Sequence, residues 1–217
     1  MNPHNDAERQ AGILILSQLK KFNEAVVYFE QHLSPAFWKS FDQCVERFMK
    51  DNNWVGKANY EHQDYCWLAH PAWVIEGVNC KYWFENSSTV TDGVDYILAV
   101  MTGAGTEQGQ FGFEFKLNVG FFGGARKLTS YTGAIQKQHR EQLHELGLVD
   151  KGKGSYFLPV IIDPKLLTEC WKEHGEFPVE HEAFSLLRIA LETLLQSTKI
   201  LDAIFSSEAQ VAVSESI

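Results

Sequence analysis

Apolar residues recur at helical spacing early in the chain. Ile13, Leu16, Leu19, Val26, Phe29 and Leu33 fall on one stripe and predict an amphipathic helix over 7–33. Ser34-Pro35 follows, a helix-start pair with proline at the first helical position. A second helix is expected to run to about Lys50, with Phe37, Phe41, Cys44, Val45 and Phe48 on one face, and to end at Asp51-Asn52-Asn53. From Trp54 the pattern turns to strands. Tyr65–Ile75, Cys80–Glu85, Asp95–Thr102 and Gln110–Leu117 are rich in aromatic and β-branched residues. They are separated by Gly77-Val78-Asn79, Asn86-Ser87-Ser88 and Gly103 to Gly109, links that favour an antiparallel meander. Alternation is clearest in the last of the four. Phe111, Phe113, Phe115 and Leu117 take one face, and Gly112, Glu114 and Lys116 the other.

The second half reads as a glycine-rich loop from Asn118 to Gly124, then a polar helix over about Gly133–Leu146 with Gly147 as its C-cap. A turn at 150–154 leads to Tyr156–Ile162, an apolar run typical of a strand buried on both faces. Asp163-Pro164 opens a short helix, and a long helix spans about 180–205. The order gives a single domain over 1–217, with 1–6 and 206–217 frayed. The expected class is α+β: a central mixed sheet of about five strands, an N-terminal helical pair, and C-terminal helices packed on it.

Composition changes this picture little. With 217 residues, 45% hydrophobic and 22% charged, the chain supports one full core. The net charge of −9 argues against a general polyanion binder or a membrane-surface protein. Charge is uneven, however. Residues 116–153 carry seven bases against three acids, and from 169 onward there are nine acids against three bases. Cys44, Cys66, Cys80 and Cys170 form no CxxC, and the first residues carry no secretory pattern. No stretch approaches a transmembrane span, so the expected setting is cytoplasmic.

The chemistry concentrates at one place. Alternation puts Glu114 and Lys116 on the same face, and Asp95 opens the preceding apolar run, folded alongside by a hairpin. Two carboxylates and a lysine gathered there suit a divalent cation. Asp95, Glu114 and the Phe115 carbonyl would supply hard oxygen ligands for Mg²⁺, and Lys116 would steady developing negative charge. At these residues the chain resembles the PD-(D/E)XK nuclease superfamily. Glu114-Phe115-Lys116 matches the second element of its motif, and Asp95 stands where the family's aspartate would be, following Val94 in place of proline. Asp92 offers a second choice in the same turn. The resemblance covers roughly 60–162 in topology and three or four residues in motif. It implies a restriction-endonuclease-like core and a Mg-dependent hydrolase cleaving DNA, with Asp95, Glu114, Lys116 and Gln136 catalytic. Gln136 would come from the following helix, and Arg126, Lys127, Lys137 and Arg140, from the basic segment, would face nucleic acid.

A second reading rests on Trp54, Tyr60, Tyr65, Trp67, Trp73, Tyr82, Trp83 and Phe84. Strand alternation turns some of these rings away from the core, where exposed Trp and Tyr mark binding surfaces. On that reading the chain is a non-catalytic interaction protein, such as an immunity, anti-defence or regulatory module, that engages a protein partner. The simpler account is that helices cover the rings. A homodimer is a further expectation. His139 and His144 are five apart on the predicted helix, the wrong separation for a shared metal, and His62, His70, His174 and His181 read as structural or surface residues. No GxSxG, Walker A or HExxH occurs, and Gly120 to Gly124 lacks the placement of a phosphate loop.

Overall fold

The computed structural model describes residues 6–89, 95–105 and 109–206. Helices α1 (Asp6–Ser17) and α2 (Leu19–Tyr28) lead through a π-helical turn at Phe29–Leu33 into α3 (Ser34–Asp51). Ser34 does not act as the expected cap: Leu33 and Ser34 are already helical, the Ser34 amide reaches the Phe29 carbonyl, and the chain runs straight from the π-helical turn into α3 with Pro35 in its first turn. One face of α3 then buries Phe37, Phe41, Val45 and Phe48. Strand β1 (Val55–Asn59), the short helix α4 (Tyr60–Gln63) and β2 (Tyr65–Ala69) follow. The buried Asp42 of α3 accepts the amides of Tyr60 and Glu61 at 2.8 and 3.0 Å, capping α4 from a neighbouring helix. Burial raises its pKa, and those two amides oppose the rise.

A side hairpin, β3 (Val74–Glu76) and β4 (Asn79–Cys80), precedes β5 (Tyr82–Ser88), α5 (Ile97–Met101) and β6 (Phe111–Leu117). Helices α6 (Ala125–Gly133) and α7 (Lys137–Glu145) lead to the hairpin β7 (Val149–Gly152) and β8 (Ser155–Pro159). Its turn places Gly152, Lys153 and Gly154 at positive φ. A Cβ on Gly154 would also lie 2.6 Å from Thr132 Cγ2, so only glycine fits there. Helices α8 (Pro164–His174) and α9 (Ser185–Phe205) complete the chain.

The class is α+β, as expected. The main sheet has six strands in the order β1-β2-β5-β6-β8-β7, and every pairing is antiparallel, where a mixed sheet of about five was expected. Helices α3 and α9 pack together over one face of it. On that face the Phe41 ring stacks on Phe113 at 6.3 Å, and Phe205 meets Phe115 at 5.4 Å. Asp202 of α9 accepts from Trp73 Nε1 at 2.7 Å and from the Tyr82 hydroxyl at 3.1 Å, locking the last helix to the sheet.

Several expectations change. The helix expected over 7–33 is broken at Gln18 and ends in the π-helical turn. The strand expected over Tyr65–Ile75 is β2, a 3-10 turn at Pro71–Trp73 and β3, which pairs with β4 outside the main sheet. The run from Asp95 to Thr102 is not a strand. After a bend at Asp95 the chain makes a single α-helical turn, with the Val100 amide donating to the Tyr96 carbonyl at 3.1 Å. Ile-Leu-Ala-Val-Met is apolar throughout, so periodicity does not separate a short buried helix from a strand, and Leu, Ala and Met favour the helix. The helix expected over about 133–146 is α7, Lys137–Glu145, and a helix that was not expected, α6, precedes it and starts straight after the glycine-rich loop. Asp92 and the 207–217 tail lie outside the described residues.

Candidate functional site

Strand β6 sits in the interior of the sheet, paired with β5 on one side and β8 on the other. Its alternation sends Phe111, Phe113 and Phe115 to the helix-covered face and leaves Gly112, Glu114 and Lys116 on the second face. Register then decides which side chains meet them. Glu85 of β5 stands directly opposite Glu114, Trp83 opposite Lys116, and Ser87 opposite Gly112. From β2, Trp67 faces Glu85, with Tyr65 two residues away on the same side. From β8, Phe157 faces Glu114.

The result is a cross-strand polar cluster. Lys116 Nζ lies 3.0 Å from Glu114 Oε2 and 3.6 Å from Glu85 Oε1. The other Glu114 oxygen accepts from the Ser155 hydroxyl at 2.7 Å, and Oε2 also takes the Ser87 hydroxyl at 2.9 Å. Glu85 Oε2 accepts from Trp83 Nε1 at 2.9 Å. Burial pushes the Glu114 carboxyl up, but the hydrogen bonds from Ser155, Lys116 and Ser87 outweigh it and leave the pKa below the ordinary glutamate value. The Glu114 side chain is 16% exposed and that of Lys116 32%, so the cluster is half-withdrawn from water.

The predicted site residues separate in this arrangement. Glu114 and Lys116 do share a face, on a strand, as expected. The second acid beside them is Glu85, not Asp95. Asp95 lies on the bend before α5, where a Cβ on Gly105 would be 2.9 Å from its Oδ2. The strand beside β6 at this point is β5, which removes the reason for bringing Asp95 to Glu114. The Phe115 carbonyl lies inside an interior strand with partners on both sides. Gln136 is exposed at the N-terminal end of α7, and its carbonyl accepts from the His139 and Arg140 amides. Helix α7 packs on α9 and β7.

The basic segment is largely engaged within the chain. Arg140 donates to Asp150 Oδ2 at 2.7 Å and to the Thr132 carbonyl at 3.0 Å. Lys137 pairs with Glu141 at 3.3 Å, and Lys151 lies 5.5 Å from the Phe157 ring centroid. Arg126 and Lys127 are exposed in the first turn of α6. Among the described residues no helix is long and apolar enough to cross a membrane.

Glu85 carries no sequence signal as a site residue when its strand is taken to end at that position. The strand runs on to Ser88, and the Trp83, Glu85, Ser87 alternation was the available signal. A second grouping was also missed. Glu173, His174 and His181 bring ligating atoms within 4.8 Å of one another, because the turn at Gly175 sends the chain back past the end of α8. His181 Nδ1, however, accepts the Ala183 amide at 3.1 Å, which leaves the proton of the neutral ring on Nε2 and works against metal ligation. Of the eight aromatics singled out in the sequence, Trp54, Tyr60, Trp73, Tyr82 and Phe84 belong to the core, while Tyr65, Trp67 and Trp83 stand on the second face. Comparisons of the chain with protein-family models, with curated proteins and with solved structures returned no match.

Proposed function

We propose that this chain is a non-catalytic interaction module that binds a protein partner through the second face of its sheet, and not a nuclease. The observation that carries this reading is the internal satisfaction of the Glu85–Glu114–Lys116 cluster. Both oxygens of Glu114 accept from donors on three strands, and the single ammonium is shared between two carboxylates. A Mg²⁺ centre needs several oxygens converging on one point. Here the lysine ammonium occupies the space between the acids, and the donors hold Glu114 toward the protein. The residues present therefore do not fit the cation. Around the cluster stand Tyr65, Trp67 and Trp83, the residue types that dominate binding energy at interfaces.

The test has two arms. Purified chain incubated with DNA and with RNA in Mg²⁺ or Mn²⁺ is expected to leave both uncut. Cross-linking in the source cell is expected to trap a defined protein complex that Tyr65→Lys abolishes while the thermal midpoint stays within a degree or two. Metal-dependent cleavage that Lys116→Ala removes with the fold intact would overturn the reading in favour of a nuclease, with Glu85 as its second acid.

A further inference from the structure

The first two helices bury nothing. Neither α1 nor α2 has a buried residue, yet eight of the seventeen exposed large apolar side chains of the described residues lie between positions 13 and 28. Four of them are consecutive. Ile13, Leu14, Ile15 and Leu16 advance about 100° each around the helix, so α1 is apolar on every side at this point. Leu19 and Phe22 extend the apolar surface into α2. The base of the arm is fixed to the body, with Phe29 packed on Tyr96 at 4.7 Å, Glu30 accepting from the Tyr96 hydroxyl at 2.7 Å, and Tyr28 edge-on to Trp171.

We infer that this arm is a homodimerisation element, and that its occupant is the same arm of a second copy in antiparallel orientation. Two observations select that partner. The eight side chains, exposed between 39 and 72%, carry on the order of 800 Å² per copy around the whole arm, of which a paired arm covers the side that faces it, a contact at the low end of specific interfaces. The charges are also self-complementary. The arm begins with Asp6 and Glu8 in the first turn of α1 and carries Lys20 and Lys21 in the first turn of α2, past a bend at Gln18; within one copy Asp6 also pairs with Arg9 and Lys20 with Glu24, which leaves the first segment net acidic and the second net basic. Antiparallel pairing therefore sets the acidic first turn of each copy beside the lysine pair of the other, twice by symmetry. A parallel pair would set like charges together. A lipid surface fits less well: the described arm up to Glu30 holds Asp6, Glu8, Glu24 and Glu30 against Arg9, Lys20 and Lys21, and the chain carries −9 overall.

Sedimentation equilibrium of the full chain at about 20 µM is expected to give a dimer, twice the 24.7 kDa of the chain. Leu16→Glu with Leu19→Glu is expected to weaken association at least 100-fold and leave the thermal midpoint of the body unchanged, because neither residue is buried. All four native cysteines are buried, so introduced thiols report orientation. An equimolar mixture of Asp6→Cys and Lys21→Cys chains should form disulfide heterodimers, and Asp6→Cys alone should not. A monomeric wild type overturns the inference, as does a double variant that still dimerises. Self-linking by Asp6→Cys overturns the antiparallel arrangement. Co-sedimentation of a monomeric wild type with phosphatidylcholine vesicles containing anionic lipid would assign the arm to a membrane.

Discussion

The two faces of β6 take alternate residues of one backbone, yet they are held by different physics. On the inner face Phe111, Phe113 and Phe115 are fully buried against α3, α9 and neighbouring strands, and their contribution scales with apolar area and packing. On the second face Glu114 and Lys116 are held by direction: each hydrogen bond requires a donor at one place on a neighbouring strand. The inner face tolerates exchange of shape if volume is kept. The second face depends on strand register, since a one-residue slip would remove Ser87, Ser155 and Glu85 from Glu114 together.

Loss of the inner face costs the fold most. Phe113→Ala removes a fully buried ring in the centre of the sheet and is expected to cost about 3–5 kcal/mol in urea denaturation. Glu114→Ala comes next. It leaves the Ser87 and Ser155 hydroxyls and Lys116 without their acceptor, at a cost of about 1–3 kcal/mol in the same experiment. Its acid dependence sharpens the contrast. The folded pKa of Glu114 lies below the unfolded value of about 4.3, so its stabilisation is present above that pH and is lost as pH falls through the folded pKa. The stability gap between wild type and Glu114→Ala should therefore shrink in acid, whereas the gap for Phe113→Ala should not change through this group. Denaturation at neutral pH and near pH 3 separates the two. Lys116→Met has the smallest expected effect. The ammonium is about one-third exposed and solvent-screened, so the change should stay within about 1 kcal/mol. A loss as large as that of Phe113→Ala would show that the ion cluster, and not the ring layer, fixes this part of the sheet.

What could be read from the sequence follows the same division. Ser34-Pro35 and the apolar stripe after it placed α3 within a residue or two, and period-two alternation assigned both faces of β6. These signals are local. The failures came where the answer depends on a distant neighbour. Whether Asp95 or Glu85 lies beside Glu114 is set by which strand joins β6, and a short apolar run such as Ile97–Met101 carries no period to decide it. The shared face of Glu114 and Lys116 was thus legible within one strand, and the strand assigned to Asp95 was not.

One consequence concerns the order in which the chain is made. The ring layer of the sheet is closed by α9, whose Asp202 holds Trp73 and Tyr82 and whose Phe205 lies on Tyr82 and Phe115. These partners are separated by up to 129 residues, so a ribosome finishes every strand well before it delivers the helix that covers them. For that interval the growing chain carries an open aromatic sheet, the kind of surface that chaperones hold and that aggregates in their absence. A chain cut short before Asp202 should therefore fail at synthesis, collecting in the insoluble fraction with all eight strands of the described residues already translated.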